Sequence, residues 1–330
     1  MTLTVLNPLD ARIPKWNYAC LAVRHCPFCG AQNETVLIRP DLLPVAFCET
    51  CGCWYINNLP SSADIMSLYD GYYHTHRPAD LSKKGFSQMV ESARKSSESN
   101  VQLHSLLKLH AGNGRMRILD VGCGFGRFLL EAKSRGAEVE GCDLSPEACE
   151  FANNKLGITV HQSKLHLCAS SIDKVDAVVM SDFLEHPVEP LIDIQAAVGI
   201  LKPGGLLLFH TPNGGEAGTN IETARNWVGF RVDLEHFQYL SPHTVNWLSH
   251  KYDLRIERLE TSGFPSLKGI DKLPRKSLKH YLSLRERAKR IPKLCGMVKT
   301  LRVLKTEMLG GSCDLRLGSY HLFAILRKVR

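Results

Sequence analysis

The chain has 330 residues, 44% of them apolar and 22% charged, enough to bury one sizeable core with a small accessory module beside it. No apolar run approaches the roughly 18 residues a membrane span requires, and the opening MTLTVLNPLDARIPKW lacks the basic and apolar regions of a secretory signal. The net charge of +8 is local: between Lys268 and Lys305 thirteen Lys or Arg face only Asp271 and Glu286.

Twelve cysteines in a chain without an export signal argue against a disulfide framework and predict a cytoplasmic protein with reduced thiols or metal ligands. Four are organised. In CPFCGAQNETVLIRPDLLPVAFCETCGCW, Cys26 and Cys29 form one C-x-x-C-G knuckle, and Cys48 and Cys51 form another. Each glycine lets the backbone turn so that both sulfurs face one ion, and two knuckles complete a tetrahedral Zn2+ site. Cys20, Cys53 and His25 lie near enough to substitute, but the regular spacing favours the four. An all-cysteine shell has no open position for a reacting water, which predicts a structural ion in a zinc ribbon over residues 1–60.

Residues 61–112 read as a helical linker. Leu103, Leu106, Leu107 and Leu109 form an apolar stripe, and Tyr69, Tyr72, Tyr73 and His74 an aromatic cluster whose spacing fits packing. From 113 to 330 strands and helices alternate. RMRILDVG, AEVEGCDLS, ITVHQS, KVDAVVMSDF and GGLLLFHTP read as strands, and SPEACEFANNKLG as a helix capped by Ser145 and stopped at Gly157. Such alternation predicts an α/β fold, a doubly wound, mostly parallel seven-stranded sheet, with ligands at the carboxyl ends of its strands. YDLRIERLETSG and GSYHLFAILRK supply the last two strands, separated by the basic insert at about 265–310.

The turn in ILDVGCGFGRFLL decides what the sheet holds. Gly122, Gly124 and Gly126 fall as G-x-G-x-G, with Arg127 where a dinucleotide loop has its last glycine, and no G-K-S/T ends the loop. Asp120, just before the turn, has the wrong sign for a phosphate and the right one for a cation. Asp143, ending the next strand, can accept hydrogen bonds from two ribose hydroxyls. The loop is shaped for a nucleoside carrying an amino acid.

LDVGCGFGRFL, GCDLSP, DAVVMSDFLEHPVEP and LKPGGLLLFHTPN resemble the successive motifs of class I S-adenosylmethionine-dependent methyltransferases. The resemblance implies a Rossmann-like methyltransferase fold and S-adenosylmethionine as cofactor, with Asp120, Gly122 and Gly124 at its methionine part and Asp143 at its ribose. Ser163 and Lys164 stand where the family usually places an acid against the adenine. The cysteine module and the Y-x-x-YY segment extend the resemblance to nucleotide-sugar C-methyltransferases, in which the tyrosine helix folds over the cofactor and would engage Tyr72 and Tyr73. The long final domain of those enzymes is missing.

A sulfonium methyl needs its acceptor held in line at about 3 Å with water excluded, and a hydroxyl or carbon acceptor also needs a base. Glu185-His186 after the fourth strand and Glu235-His236 after the fifth are in position. His236 is the preferred base and His186 the second, Asp182 is expected to face the cofactor or acceptor, and His210, within an apolar strand, reads as a core residue. Asn213, Trp227 and Arg231 lie in a long loop that could touch the acceptor or simply anchor itself. The preferred reading is methyl transfer to a small molecule, nucleotide sugar or glycan, with the basic insert gripping an anionic acceptor. The alternative is an RNA methyltransferase using ribbon and insert to bind RNA; SDFLEH lacks the N/D-P-P-Y typical of enzymes that methylate exocyclic base amines, which leaves ring-carbon, ring-nitrogen or ribose targets. Peripheral contact with an anionic membrane, packing of the insert at a dimer or sheet edge, and a decayed core serving a zinc-ribbon interaction module are the remaining readings.

Overall fold

The computed structural model describes residues 3–9, 12–69, 82–112, 114–262 and 320–329. The N-terminal part carries five short strands: β1 (Ala22–Val23), β2 (Thr35–Ile38), β3 (Pro44–Phe47), β4 (Trp54–Ile56) and β5 (Asn58–Leu59). In each cysteine knuckle the closing glycine is left-handed, φ +76° at Gly30 and +71° at Gly52, and returns its N–H to the carbonyl of the first cysteine. A side chain at Gly52 would also strike His243, 2.7 Å from an added Cβ, so the second knuckle is both turned and closely packed.

Among the described residues, the helices α1 (Ser62–Tyr69), α2 (Lys83–Ser96) and α3 (Val101–Leu109) follow. The main domain then runs β6 (Arg117–Val121), α4 (Arg127–Ser134), β7 (Glu138–Asp143), α5 (Pro146–Phe151), β8 (Thr159–Gln162), α6 (Leu165–Cys168), β9 (Val175–Ser181), α7 (Pro190–Ile200), β10 (Leu201–Pro212), α8 (Ile221–Ala224), β11 (Gln238–Tyr239), α9 (Pro242–Lys251), β12 (Leu254–Ser262) and β13 (His321–Lys328). Ser145 caps α5 through Ala148 N–H with Pro146 behind it. The chain continues past α5 as a wide π turn, Ala152–Leu156, before Gly157 stops it at φ +58°.

Seven strands form one sheet in the order β12-β13-β10-β9-β6-β7-β8. Only β13 runs against its neighbours, β10 and β12, so the sheet is mostly parallel and the carboxyl ends of β6, β7, β9 and β10 share one edge. Alternation sorts its residues between two faces. Leu119, Val178 and Leu207 join a core shared with α7, α9 and the knuckle cysteines, while Ile118, Ala177 and Leu206 pack with Leu103 and Leu106 of α3. Because Cys48, Cys51 and Phe28 lie in the main core cluster, the cysteine module is embedded in the domain, and β11 completes its sheet by pairing with β4.

Candidate active site

The cofactor side of the carboxyl edge is built from residues close in sequence. β6 delivers Asp120 and β7 delivers Asp143, both buried. The turn between them is left-handed at Gly122, Gly124 and Gly126. A Cβ at Gly122 would come within 2.8 Å of the Phe183 ring, so glycine there serves both the turn and the approach of the loop after β9. The Asp143 carboxylate accepts the N–H of Gly124 at 2.8 Å and of Ser145 at 2.9 Å. Each carboxylate oxygen keeps a second acceptor site, so Asp143 is held in one orientation and remains able to take hydroxyls. No hydrogen-bond donor among the described residues reaches the Asp120 carboxylate. Burial and then the charge of Asp143 push its pKa well above the ordinary carboxylate value. A buried acid in that state is a site for a cation such as an ammonium group. Leu144 is 61% exposed directly after Asp143, an apolar surface beside that carboxylate. Ser163 donates its N–H to the Asp143 carbonyl at 3.0 Å, which holds its backbone against the end of β7.

The other side of the edge gathers residues from distant segments. His186, after β9, and His236, before β11, meet edge to face with ring centroids 4.7 Å apart. His236 is buried and His186 partly exposed. Glu185 is buried and accepts Thr211 Oγ1 at 2.9 Å, and its carbonyl accepts the Phe237 N–H at 2.8 Å, which joins the two histidine loops to each other and to β10. Burial, with the neighbouring Asp233 charge adding to it, raises the pKa of Glu235.

Two arginines of the cysteine module fasten these loops. The fully buried Arg39 forms a two-pronged pair with Asp41, Nε to Oδ1 at 3.0 Å and Nη2 to Oδ2 at 2.5 Å. It donates further to the carbonyls of Leu234 at 2.6 Å and His236 at 2.5 Å, and to the Tyr239 hydroxyl at 2.9 Å. Burial opposes its charge most strongly, but Asp41 and Tyr239 together outweigh that, and the Arg39 pKa rises. Trp16 donates its indole N–H to Asp41 at 2.9 Å. Arg24 bridges the carbonyls of Val188 at 3.0 Å and Phe237 at 2.8 Å. Neither arginine carries a motif, so sequence reading passed over both.

The four cysteines converge as the spacing predicted. Cys26 and Cys51 sulfurs are 3.4 Å apart, Cys29 and Cys48 3.2 Å apart, and all four lie within 4.8 Å of one another. A tetrahedral ion with bonds of about 2.3 Å requires sulfurs about 3.8 Å apart, a separation between the two short pairs and the 4.8 Å span of the cluster.

Other expectations fare differently. Tyr72 and Tyr73 lie outside the described residues, as does the basic insert. The Asp182 carboxylate sits 3.1 Å from His210 Nδ1. His210 is therefore not a core histidine: it stands between buried Phe209 and buried Thr211 in β10, but its own side chain is partly exposed beside Asp182. Asn213, Trp227 and Arg231 are buried. Asn213 caps a short helical turn through Gly215 N–H, Trp227 packs against Phe230 and Tyr239, and Arg231 donates to the Asn7 carbonyl, so that loop anchors itself.

Residues 94–259 match the family model described as a methyltransferase domain. With the strand order, the glycine turn and the two strand-end acids, this defines the class: the chain belongs to the class I S-adenosylmethionine-dependent methyltransferase domain family. Among curated relatives, a ubiquinone biosynthesis O-methyltransferase of Xanthomonas campestris pv. campestris (strain B100) is 42% identical over 104 residues, 29% of this chain and 43% of that protein. One of Paraburkholderia phymatum is 28% identical over 167 residues, 49% of this chain and 67% of that protein. The chain thus spans less than half the length of the first of these relatives. A crystal structure of a SAM-dependent methyltransferase from Archaeoglobus fulgidus is 20% identical, with a TM-score of 0.45, covering 71% of this chain and 94% of that one. The plantazolicin methyltransferase BamL, solved with SAH, is 16% identical, with a TM-score of 0.46, covering 80% and 95%.

Proposed function

We propose that this protein transfers a methyl group from S-adenosylmethionine to an oxygen of a small-molecule acceptor. The observation that carries the cofactor half is the pairing of Asp120, buried without a donor among the described residues, with Asp143, oriented by two backbone N–H groups. S-adenosylmethionine, when bound, supplies a methyl already activated by its sulfonium charge. The chain does the rest: Asp120 takes the amino group, Asp143 the ribose hydroxyls, and Leu144 and the backbone at Ser163 the adenine. The oxygen acceptor is supported by relatives named as O-methyltransferases.

Removing the acceptor proton falls to the His186–His236 pair. We prefer His186 to His236 as the base, the opposite of the order expected from sequence. His186 is the more exposed ring and the one an acceptor reaches first, with His236 packed behind it and held through its carbonyl by Arg39. The cysteine module is read as a structural Zn2+ site of Cys26, Cys29, Cys48 and Cys51, whose role is to present Arg24 and Arg39 to the acceptor loops.

Calorimetric binding of S-adenosylhomocysteine tests the cofactor half, and its absence removes the proposal. Transfer of radiolabelled methyl into cell extract, fractionated into RNA, protein, lipid and small-molecule pools, tests the acceptor. Label is expected among small molecules, and label in RNA would replace the acceptor class. Exchange of His186 for alanine that leaves the rate within about threefold, under ~0.7 kcal/mol of barrier, removes it as the base.

A further inference from the structure

Three strands bring a second set of donors to the same edge. Asp182 directly follows β9, His210 lies near the end of β10, and His321 opens β13. The register places His210 beside Ser181 of β9 and Pro212 opposite His321, so the two histidines are diagonal neighbours across an antiparallel ladder, a spacing that long side chains bridge. Their rings stack with centroids 4.9 Å apart and planes inclined by 19°. Asp182 is 3.1 Å from His210 Nδ1, and one ligand atom from each residue lies within 4.8 Å of the others.

A histidine that only packs needs a single partner, and a proton-accepting pair needs one acid and one imidazole. Three donors converge here, one more than such a pair uses. We propose that Asp182, His210 and His321 form a binding site for a divalent transition-metal ion. Two imidazole nitrogens and one carboxylate suit Mn2+, Fe2+, Co2+ or Zn2+, whereas Mg2+ and Ca2+ take shells of oxygen. The 3.1 Å between Asp182 and His210 already fits two ligands of one ion with bonds of about 2.1 Å, and His321 closes by side-chain rotation. Strand ends fixed by the sheet hold the donors in place before an ion arrives.

The side chains of Asp182 and His210 are 40% and 23% exposed, so an ion is reached from solvent and keeps positions open, unlike one enclosed by four sulfurs. Those positions lie at the carboxyl edge where the acceptor is proposed to bind, and an ion there favours coordination of an acceptor hydroxyl oxygen. That use rests on the methyl-transfer reading, but the ion site itself does not. The rival triad, Glu185, His186 and His236, is also within 4.8 Å, but Glu185 is buried and engaged with Thr211.

Mn2+ alone, added to the full chain as purified, is the probe, since it prefers nitrogen and oxygen to the thiolates of the cysteine cluster. Loss of the free Mn2+ paramagnetic resonance counts bound ions. In protein with 15N-labelled histidine, the ion's broadening identifies the rings beside it. One bound ion per chain is expected, with His210 and His321 broadened before His186 and His236, and with His210→Gln, His321→Gln and Asp182→Asn each weakening uptake by about tenfold or more. No uptake, or broadening centred on His186 and His236, overturns the site. The broadening pattern needs no variant, so the test survives a substitution that misfolds. Mn2+ uptake by protein that fails to bind S-adenosylhomocysteine would retain the metal site and discard the methyl-transfer reading.

Discussion

The two sides of the carboxyl edge are assembled in different ways. On the cofactor side, Asp120, the glycine turn, Asp143 and Ser145 lie within one strand-turn-helix-strand run, and hydrogen bonds spanning at most 20 positions tie the turn and Ser145 to the end of β7. On the acceptor side, Arg39 reaches His236 across 197 positions and Arg24 reaches Phe237 across 213. The first site depends on local backbone geometry. The second exists only once the N-terminal module has docked, which predicts that damage to the module spares cofactor binding and damage to the glycine turn spares the acceptor loops.

The severest challenge to that division is removal of the proposed Zn2+. The four cysteines pack in the main core, so stripping the ion with a chelator is expected to lower stability by several kcal/mol, on the order of half of a domain's total. The same treatment should expose the 234–239 segment to hydrogen exchange before β6 and β7. An unchanged melting curve under chelation would mean that thiol packing alone holds the module.

Asp41→Ala comes next. It leaves a fully buried guanidinium without its carboxylate, an error that costs about 3–5 kcal/mol, and it removes the acceptor of the Trp16 indole. Urea unfolding should show the loss, accompanied by a change in Trp16 fluorescence, while S-adenosylhomocysteine binds the folded fraction with the parent's affinity. Asp143→Ala is the converse case. It should weaken S-adenosylhomocysteine by about 1.5–3 kcal/mol, the usual contribution of hydrogen bonds to a charged group, and disturb overall stability less than Asp41→Ala does. If the two substitutions affect stability and binding alike, the sides are not separate.

The same contrast explains what sequence could reveal. The sheet, the Ser145 cap, the cysteine knuckles and the two strand-end acids all follow from short-range spacing, and each lies where spacing put it. Arg39 and Arg24 could not be read in advance, because an isolated arginine in a hairpin looks like surface until a partner some 200 positions away covers it. β11 is only two residues long and pairs with a strand of another module, so it leaves no alternation to detect. His210 was misread for a related reason. It stands between buried Phe209 and buried Thr211, and nothing in that run marks its side chain as partly exposed.

The smallest effect, and the most discriminating, concerns Asp120. Burial and the charge of Asp143 raise its pKa in the folded chain. A carboxyl raised on folding binds its proton more tightly when folded. It therefore contributes stability at low pH and withdraws it as pH climbs from the unfolded value of about 4 through the higher folded one. Asp120→Asn replaces the acid by a neutral group of equal size, so the ligand-free chain should lose that decline and become more stable than the parent near neutral pH. Cofactor binding should move the other way, since an ammonium beside Asp120 favours its ionised form. The parent should release a proton on taking up S-adenosylhomocysteine, seen as a dependence of binding heat on the ionisation enthalpy of the buffer. Asp120→Asn should bind more weakly and release none. A parent whose binding heat does not follow the buffer would place the amino group away from Asp120, and the cofactor side would then be organised around Asp143 alone.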